Sequence, residues 1–135
     1  MKKNKGRTKQ KIYVKEEVYM SATYVLLNYK PKEVVPQVDK IMGGHSDNLD
    51  DMDNFSGRHF VVENLKRKGD NKLERFVWVK NFDWTCSNIA CLTHEILHLV
   101  LRILDDRGVP IKEQNSEAIA YLMEYYTREI MRKIK

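Results

Sequence analysis

The chain has 135 residues and a mass of 16.0 kDa, which suits one compact domain and is too short for two ordinary domains. Hydrophobic residues make up 42% of the sequence and charged residues 32%, and no stretch approaches the roughly 18 consecutive apolar residues that a transmembrane helix needs. The composition therefore predicts one soluble globular domain and excludes a membrane-spanning protein.

The formal net charge of +5 comes from the N-terminal segment. Residues 1–11 contain six cations and no acid, which leaves 18 of the 24 cations against 19 acids in the rest of the chain. We predict a disordered basic tail over residues 1–11 and a single domain over residues 12–135. Such a tail can contact nucleic acid through phosphates, although a solvated terminus is the simpler interpretation.

The N-terminal segment also bears on localisation. It lacks the apolar stretch and the small-residue cleavage site that follow the basic start of a secretory signal. Cys86 and Cys91 are five residues apart, which fits neither a CxxC redox pair nor a zinc knuckle. We therefore expect a cytoplasmic protein with two reduced cysteines.

The first predicted elements are a strand and a helix. Residues 22–27 have the length and the β-branched and aromatic composition of a buried strand. Residues 31–42 begin with proline, carry apolar side chains at helical spacing and are followed by two glycines, so they predict an amphipathic helix. Residues 43–57 are rich in Gly, Asp, Asn and Ser and predict an exposed, mobile loop. Its aspartates lack the glycine and the closing glutamate of a calcium-binding loop.

A hairpin and two helices complete the prediction. Residues 59–62 begin a strand, residues 69–71 form a turn, and residues 75–80 alternate apolar and polar side chains as a second strand. The two helices are predicted from Ser87 or Asn88 to Gly108, and from Asn115 or Ser116 almost to the C-terminus. The order of strand, helix, two strands and two helices predicts an α+β domain with a short, mostly antiparallel sheet packed on the helices.

His94, Glu95 and His98 form an HExxH sequence within the first of these two helices. Residues four apart lie on one helix face, so both imidazoles can bind the same metal ion, while Glu95 lies about 100° away around the axis. The apolar residues of the helix lie opposite, which turns the histidines towards a cleft. Catalytic zinc takes three protein ligands and one water, and Glu117, separated from His98 by 18 residues, is the candidate third ligand. The alternative is two ordinary helical histidines and a solvated glutamate.

This HExxH sequence, followed by 18 residues and a glutamate, resembles the gluzincin branch of the zincin metallopeptidases. Residues 74–125 also resemble small zincin-like proteins of bacteriophages and their bacterial hosts. The resemblance implies a small zincin-like domain with one zinc ion per chain on His94, His98 and Glu117, and it implies hydrolysis of peptide bonds in a peptide or protein. It further implies that residues 75–80 form the edge strand along which an extended substrate lies. The chain departs from large gluzincins because it has no room for their additional domain and no GxMEN-type segment.

The resemblance implies a mechanism in which zinc lowers the pKa of its bound water towards about 7. Glu95 would remove a proton from that water as general base and return it to the leaving amine. Tyr121 and Tyr125 lie on one face of the last helix and are candidate hydrogen-bond donors to the oxyanion, with Tyr121 preferred. The alternative for both is packing between elements. His45 and His59 could bind substrate or metal, but neither has a partner at ligand spacing, and they are interpreted as loop and strand-end residues.

Two other functions fit the sequence. A zincin-shaped metal-binding protein with little turnover would serve a phage or its bacterial host as an interaction or regulatory factor. It differs from a peptidase in the effect of Glu95→Gln, which would change little beyond the charge. A nucleic-acid-associated factor would use residues 1–11, and its binding would fall steeply with salt.

Overall fold

A computed structural model describes residues 7–43, 49, 51–63 and 73–135. These residues form one four-stranded sheet and three α-helices, and the predicted α+β class is confirmed. The elements in chain order are β1 (Gln10–Glu16), β2 (Ser21–Leu27), α1 (Pro31–Met42), β3 (Gly57–Glu63), β4 (Leu73–Val79), α2 (Cys86–Asp106) and α3 (Ser116–Lys133). Short 3-10 turns at Met52–Asn54 and Glu113–Asn115 precede β3 and α3.

The sheet is mixed and has the strand order β1-β2-β4-β3. β2 and β4 are parallel in the centre, and each outer strand is antiparallel to its neighbour. Both central strands are largely buried, as expected for strands covered on both faces. The pairing of β3 with β4 is confirmed, but β3 is the edge strand. The expectation that residues 75–80 form the edge is therefore wrong, because β2 occupies the other side of β4.

β1 is not among the predicted elements, and its first two residues, Gln10 and Lys11, fall within the predicted disordered tail. The strand buries Ile12, Val14 and Glu16 and exposes the residues between them, which is the alternation of a half-buried strand. Lysines at exposed positions obscured this alternation, because lysine is uncommon in strands. The boundary between tail and domain is therefore corrected to a position before Gln10.

Two cations of the predicted tail form ion pairs with the domain. Arg7 Nη2 lies 2.9 Å from Asp83 Oδ2, and Lys9 Nζ pairs with the carboxylate of Glu33. Surface ion pairs of this kind contribute little stability. They nevertheless engage two of the cations that the predicted tail would use for contact with phosphates.

α1 extends over the predicted residues and ends as predicted. Pro31 stands in the first turn, where its missing N–H costs no hydrogen bond. Gly43 adopts φ 77° and donates its N–H to the carbonyl of Asp39 at 2.7 Å. Glycine suits this left-handed position because it has no Cβ atom.

Helices cover both faces of the sheet. The core between the sheet and the pair α2 and α3 includes Val25, Leu27, Val77, Val79, Leu92, Ile96, Leu99, Ile103, Leu122, Tyr126 and Ile130. The core beneath α1 includes Leu26, Val34, Val38, Phe60, Val62, Phe76 and Trp78. Leu49 and Met52 are also buried there, so the predicted exposed loop at residues 43–57 contributes to this second core.

The apolar composition of α2 reflects its position in the core. By length and composition alone the helix could cross a membrane. Seven of its residues, six of them apolar, are buried within the protein. The buried face of a core helix accounts for this composition.

The outer edge of β1 is covered by side chains of α3. The carbonyl of Tyr13 accepts a hydrogen bond from Lys133 Nζ at 3.0 Å, and the carbonyl of Lys15 accepts one from the Tyr125 hydroxyl at 2.6 Å. These bonds satisfy backbone groups that an edge strand otherwise offers to another strand.

Candidate metal centre

α2 carries the HExxH motif and begins with a side-chain cap. The Thr85 hydroxyl accepts a hydrogen bond from the backbone N–H of Asn88 at 3.4 Å, which satisfies a free donor of the first turn. The cap is therefore Thr85 and not the predicted Ser87 or Asn88. The helix ends at Asp106, and Gly108 follows with φ 70°, as expected for a helix terminated by glycine.

His94 and His98 lie one above the other on the solvent side of α2. Their Nε2 atoms are 3.1 Å apart, and their ring centroids are 4.8 Å apart. The His94 side chain is 67% exposed. Two nitrogens bound tetrahedrally to one zinc ion lie about 3.3 Å apart, given Zn–N distances of about 2.0–2.1 Å. The spacing of the two Nε2 atoms is therefore suitable for binding one zinc ion between them.

Glu95 lies on the side of α2 that faces β3. Its Oε2 is 3.9 Å from His94 Nε2, and its side chain is only 9% exposed. Burial raises the pKa of Glu95 above the usual range, although the two motif histidines and a hydrogen bond from the backbone N–H of His59 act in the opposite direction. Glu95 therefore holds a proton at higher pH than an exposed glutamate does, which suits a residue that must both accept and donate a proton.

β3 passes close to α2 at Gly57. A Cβ atom on Gly57 would lie 3.0 Å from both the sulfur of Cys91 and the carbonyl oxygen of Trp78. It would also lie 3.4 Å from Cγ of Glu95. The missing side chain thus allows the edge strand to pass beside Glu95.

Replacing Gly57 by Ala is expected to lower the free energy of unfolding by about 1–3 kcal/mol. The Trp78 carbonyl belongs to the backbone of a central strand and cannot move aside for a methyl group. Urea unfolding measures the change, and Ser56→Ala at the exposed neighbouring position serves as control, with an expected change within about 0.5 kcal/mol. Equal stability of the two variants would contradict this close packing.

His59, predicted to be a strand-end residue, lies near the motif. It is two residues from Gly57 and therefore lies on the same face of β3, towards α2. Its Nε2 atom is buried and has no hydrogen-bond partner among the residues that the structure describes. Burial, followed by the neighbouring side chains of His98, Arg102 and Arg75, lowers the pKa of His59 to about 4. Its imidazole is consequently neutral at neutral pH.

The structure does not bring Glu117 to the histidine pair. Glu117 is exposed in the first turn of α3. Nine residues, or two and a half helical turns, separate it from the buried Tyr126, so the two side chains lie on opposite sides of the helix. Within the described part of the chain, no group of three or more His, Cys, Asp or Glu side chains could hold a metal ion. The predicted three-ligand site is therefore not assembled in this arrangement.

The hydroxyl groups of Tyr121 and Tyr125 are engaged at the opposite edge of the sheet. Tyr121 donates to Glu16 Oε1 at 3.1 Å, and Tyr125 donates to the carbonyl of Lys15 at 2.6 Å. Both acceptors belong to β1, whereas the motif faces β3. The prediction of Tyr121 as oxyanion donor is thus corrected, because its hydroxyl joins α3 to β1.

A cavity of about 840 Å³ lies away from the motif, beside the C-terminal end of β1 and the first residues of β2 and β4. Its charged lining consists of Lys15, Glu16, Glu17, Glu74, Arg75 and Arg107. These charges balance, so the cavity favours neither an anion nor a cation. The functional assignment therefore depends on α2 and β3.

Comparison of the chain with known proteins identifies no relative. No protein-family model, curated protein or solved structure matches the chain. His45 and the turn predicted at residues 69–71 lie outside the described residues. The resemblance to zincins accordingly depends on the HExxH motif and its surroundings.

Proposed function

We propose that this protein is a zinc-dependent hydrolase of peptide bonds, with His94 and His98 as metal ligands and Glu95 as general base. One observation carries the proposal: the two Nε2 atoms converge to 3.1 Å on the solvent side of α2. The carboxylate next to them is buried against an edge strand. This combination meets the chemical needs of a HExxH helix, in which two imidazoles bind the ion and the glutamate transfers protons.

The described residues supply part of the ligand set that a zinc ion needs. Two exposed imidazoles supply two ligands, while a catalytic zinc site uses three protein ligands. Glu117 stays the third ligand that the sequence predicts, and the first turn of α3 would have to move for its carboxylate to reach the pair. The incomplete ligand set gives some support to a second candidate function, a metal-binding protein without turnover.

Zinc held by the two histidines would polarise a substrate carbonyl and lower the pKa of a bound water. Glu95 would accept a proton from the attacking water and return it to the leaving amine. Burial raises the pKa of Glu95 in the protein without zinc.

β3 suits a peptide or protein substrate. Gly57, His59 and Val61 direct their backbone groups away from β4, because the residues between them form the hydrogen bonds of the ladder. An extended peptide can pair with the outward groups of Gly57 and Val61 and with the His59 carbonyl as an added strand, while the N–H of His59 donates to Glu95. Such a peptide would pass Glu95, which lies against the same edge.

Protein purified without chelator or added metal is expected to contain about one zinc ion per chain, and His98→Ala is expected to lose it because a single imidazole is a weak site. Elemental mass spectrometry measures the content, with His45→Ala as control for loss of a histidine outside the motif. Glu117→Ala tests the third ligand: loss of zinc would show that α3 moves to the site, and retention would exclude Glu117. Wild-type protein that takes up no zinc at neutral pH would contradict the proposal.

A further inference from the structure

α2 carries a fixed cation one turn after the histidine pair. Arg102 follows His98 by four residues, so the two side chains lie on the same helix face. The Arg102 side chain is 40% exposed, and its Nε donates to Asp106 Oδ1 at 2.8 Å. The guanidinium group is therefore oriented at the surface beside the proposed metal ligands.

Asp106 is shared between two arginines. Its Oδ2 accepts a hydrogen bond at 2.7 Å from Nη2 of Arg75, whose side chain is only 8% exposed. Two guanidinium groups around one carboxylate leave a net positive charge. Arg102 uses Nε for Asp106, and neither of its Nη atoms has a partner within the described ranges. The two Nη atoms of a guanidinium group can bind both oxygens of a carboxylate.

The position of His59 relates this charge to the side of α2 that faces β3. His59 lies on β3, and its imidazole interacts electrostatically with Arg102, Arg75 and Asp106 as well as with His98. Arg102 thus lies on the β3 side of α2, as does Glu95, which approaches β3 near Gly57. A peptide paired with the edge strand would pass both residues.

We infer that Arg102 binds a carboxylate of a peptide that pairs with the outer edge of β3 and thereby determines specificity. The inference rests on the proposed function only in where it places the cleaved bond. Four residues of helix advance about 6 Å, which corresponds to about two residues of an extended peptide. The carboxylate is therefore a free C-terminus, or an acidic side chain, within about two residues of the bond beside His94 and His98.

Three N-acetylated alanine tetrapeptides test this inference: one with a C-terminal carboxylate, one with a C-terminal amide, and one amide with aspartate in place of the last alanine. Each is titrated into the full-length protein, with and without zinc, and binding is followed by ¹⁵N NMR. A charge-assisted hydrogen bond predicts that the carboxylate peptide binds about tenfold more tightly than the amide. The aspartate peptide distinguishes a side-chain carboxylate from a C-terminal one.

The control uses a second arginine on a helix surface. Arg102→Gln is expected to abolish the preference for carboxylate peptides, while Asp106 keeps its bond to Arg75. Arg128 is 56% exposed and pairs with Glu124 at the same spacing of four residues, so Arg128→Gln is expected to retain the preference.

The inference is overturned by equal affinity for the amide and both carboxylate peptides, by a preference that survives Arg102→Gln, or by no measurable binding of any peptide at millimolar concentration. Because the measurement needs neither zinc nor turnover, its outcome is separate from that of the proposed hydrolase activity. A protein that binds no zinc can still confirm the carboxylate site, and an active enzyme can still refute it.

Discussion

Replacing Glu95 by Gln is expected to lower kcat for zinc-dependent peptide hydrolysis by about 10²–10⁴-fold, the usual contribution of a general acid–base residue. The amide has nearly the same size as the carboxylate and can still accept the hydrogen bond from the N–H of His59. It cannot take up the proton of the attacking water. Zinc content is expected to remain unchanged, because the imidazoles of His94 and His98 are untouched.

The measurement is kcat and zinc content on the same preparation of each variant. Glu124→Gln is the matched control, since Glu124 is 77% exposed on α3 and its side chain pairs with Arg128. In the zinc-free protein, burial holds the pKa of Glu95 above the ordinary glutamate range, and zinc bound to the adjacent histidines would lower it because a cation favours the carboxylate. Undiminished turnover in Glu95→Gln would remove Glu95 from the mechanism.

Leu99→Ala is expected to lower the free energy of unfolding by about 2–5 kcal/mol. Leu99 is fully buried between α2 and the sheet, so truncation removes apolar contacts and leaves a cavity. Leu97 lies two residues earlier on the same helix and is 41% exposed. Leu97→Ala is expected to change stability by no more than about 0.5 kcal/mol.

The comparison of these two leucines isolates packing, because both variants make the same exchange in the same helix and share its helix propensity. Chemical unfolding of both proteins gives the two free energies. Equal losses would mean that α2 is not rotated with Leu99 inward. The histidine pair would then not face solvent, so the result also tests the orientation of the proposed metal ligands.

Local periodicity explains what the sequence could predict. α1 was predicted over its full length because proline, apolar residues at helical spacing and a terminal glycine all act within one element. The solvent-facing side of α2 could be predicted for the same reason, since Leu99 and Ile103 define the buried side opposite His94.

The contacts between elements could not be predicted in this way. The order β1-β2-β4-β3 depends on which strands pair, and no local pattern encodes that choice. His59 and Arg75 come from neighbouring strands, and the pairing of these strands brings both side chains to α2. Glu117 shows the same limit, because a spacing of 18 residues does not determine the rotation of α3 about its own axis.

The coverage of β1 by α3 also limits how copies of the protein can associate. A sheet with two open edges can add strands on both sides and grow into a fibre. Here Lys133 and Tyr125 occupy backbone acceptors along one edge, so strand addition is restricted to β3. Two copies joined edge to edge through β3 would form a closed, two-fold pair with no open edge left for a third copy.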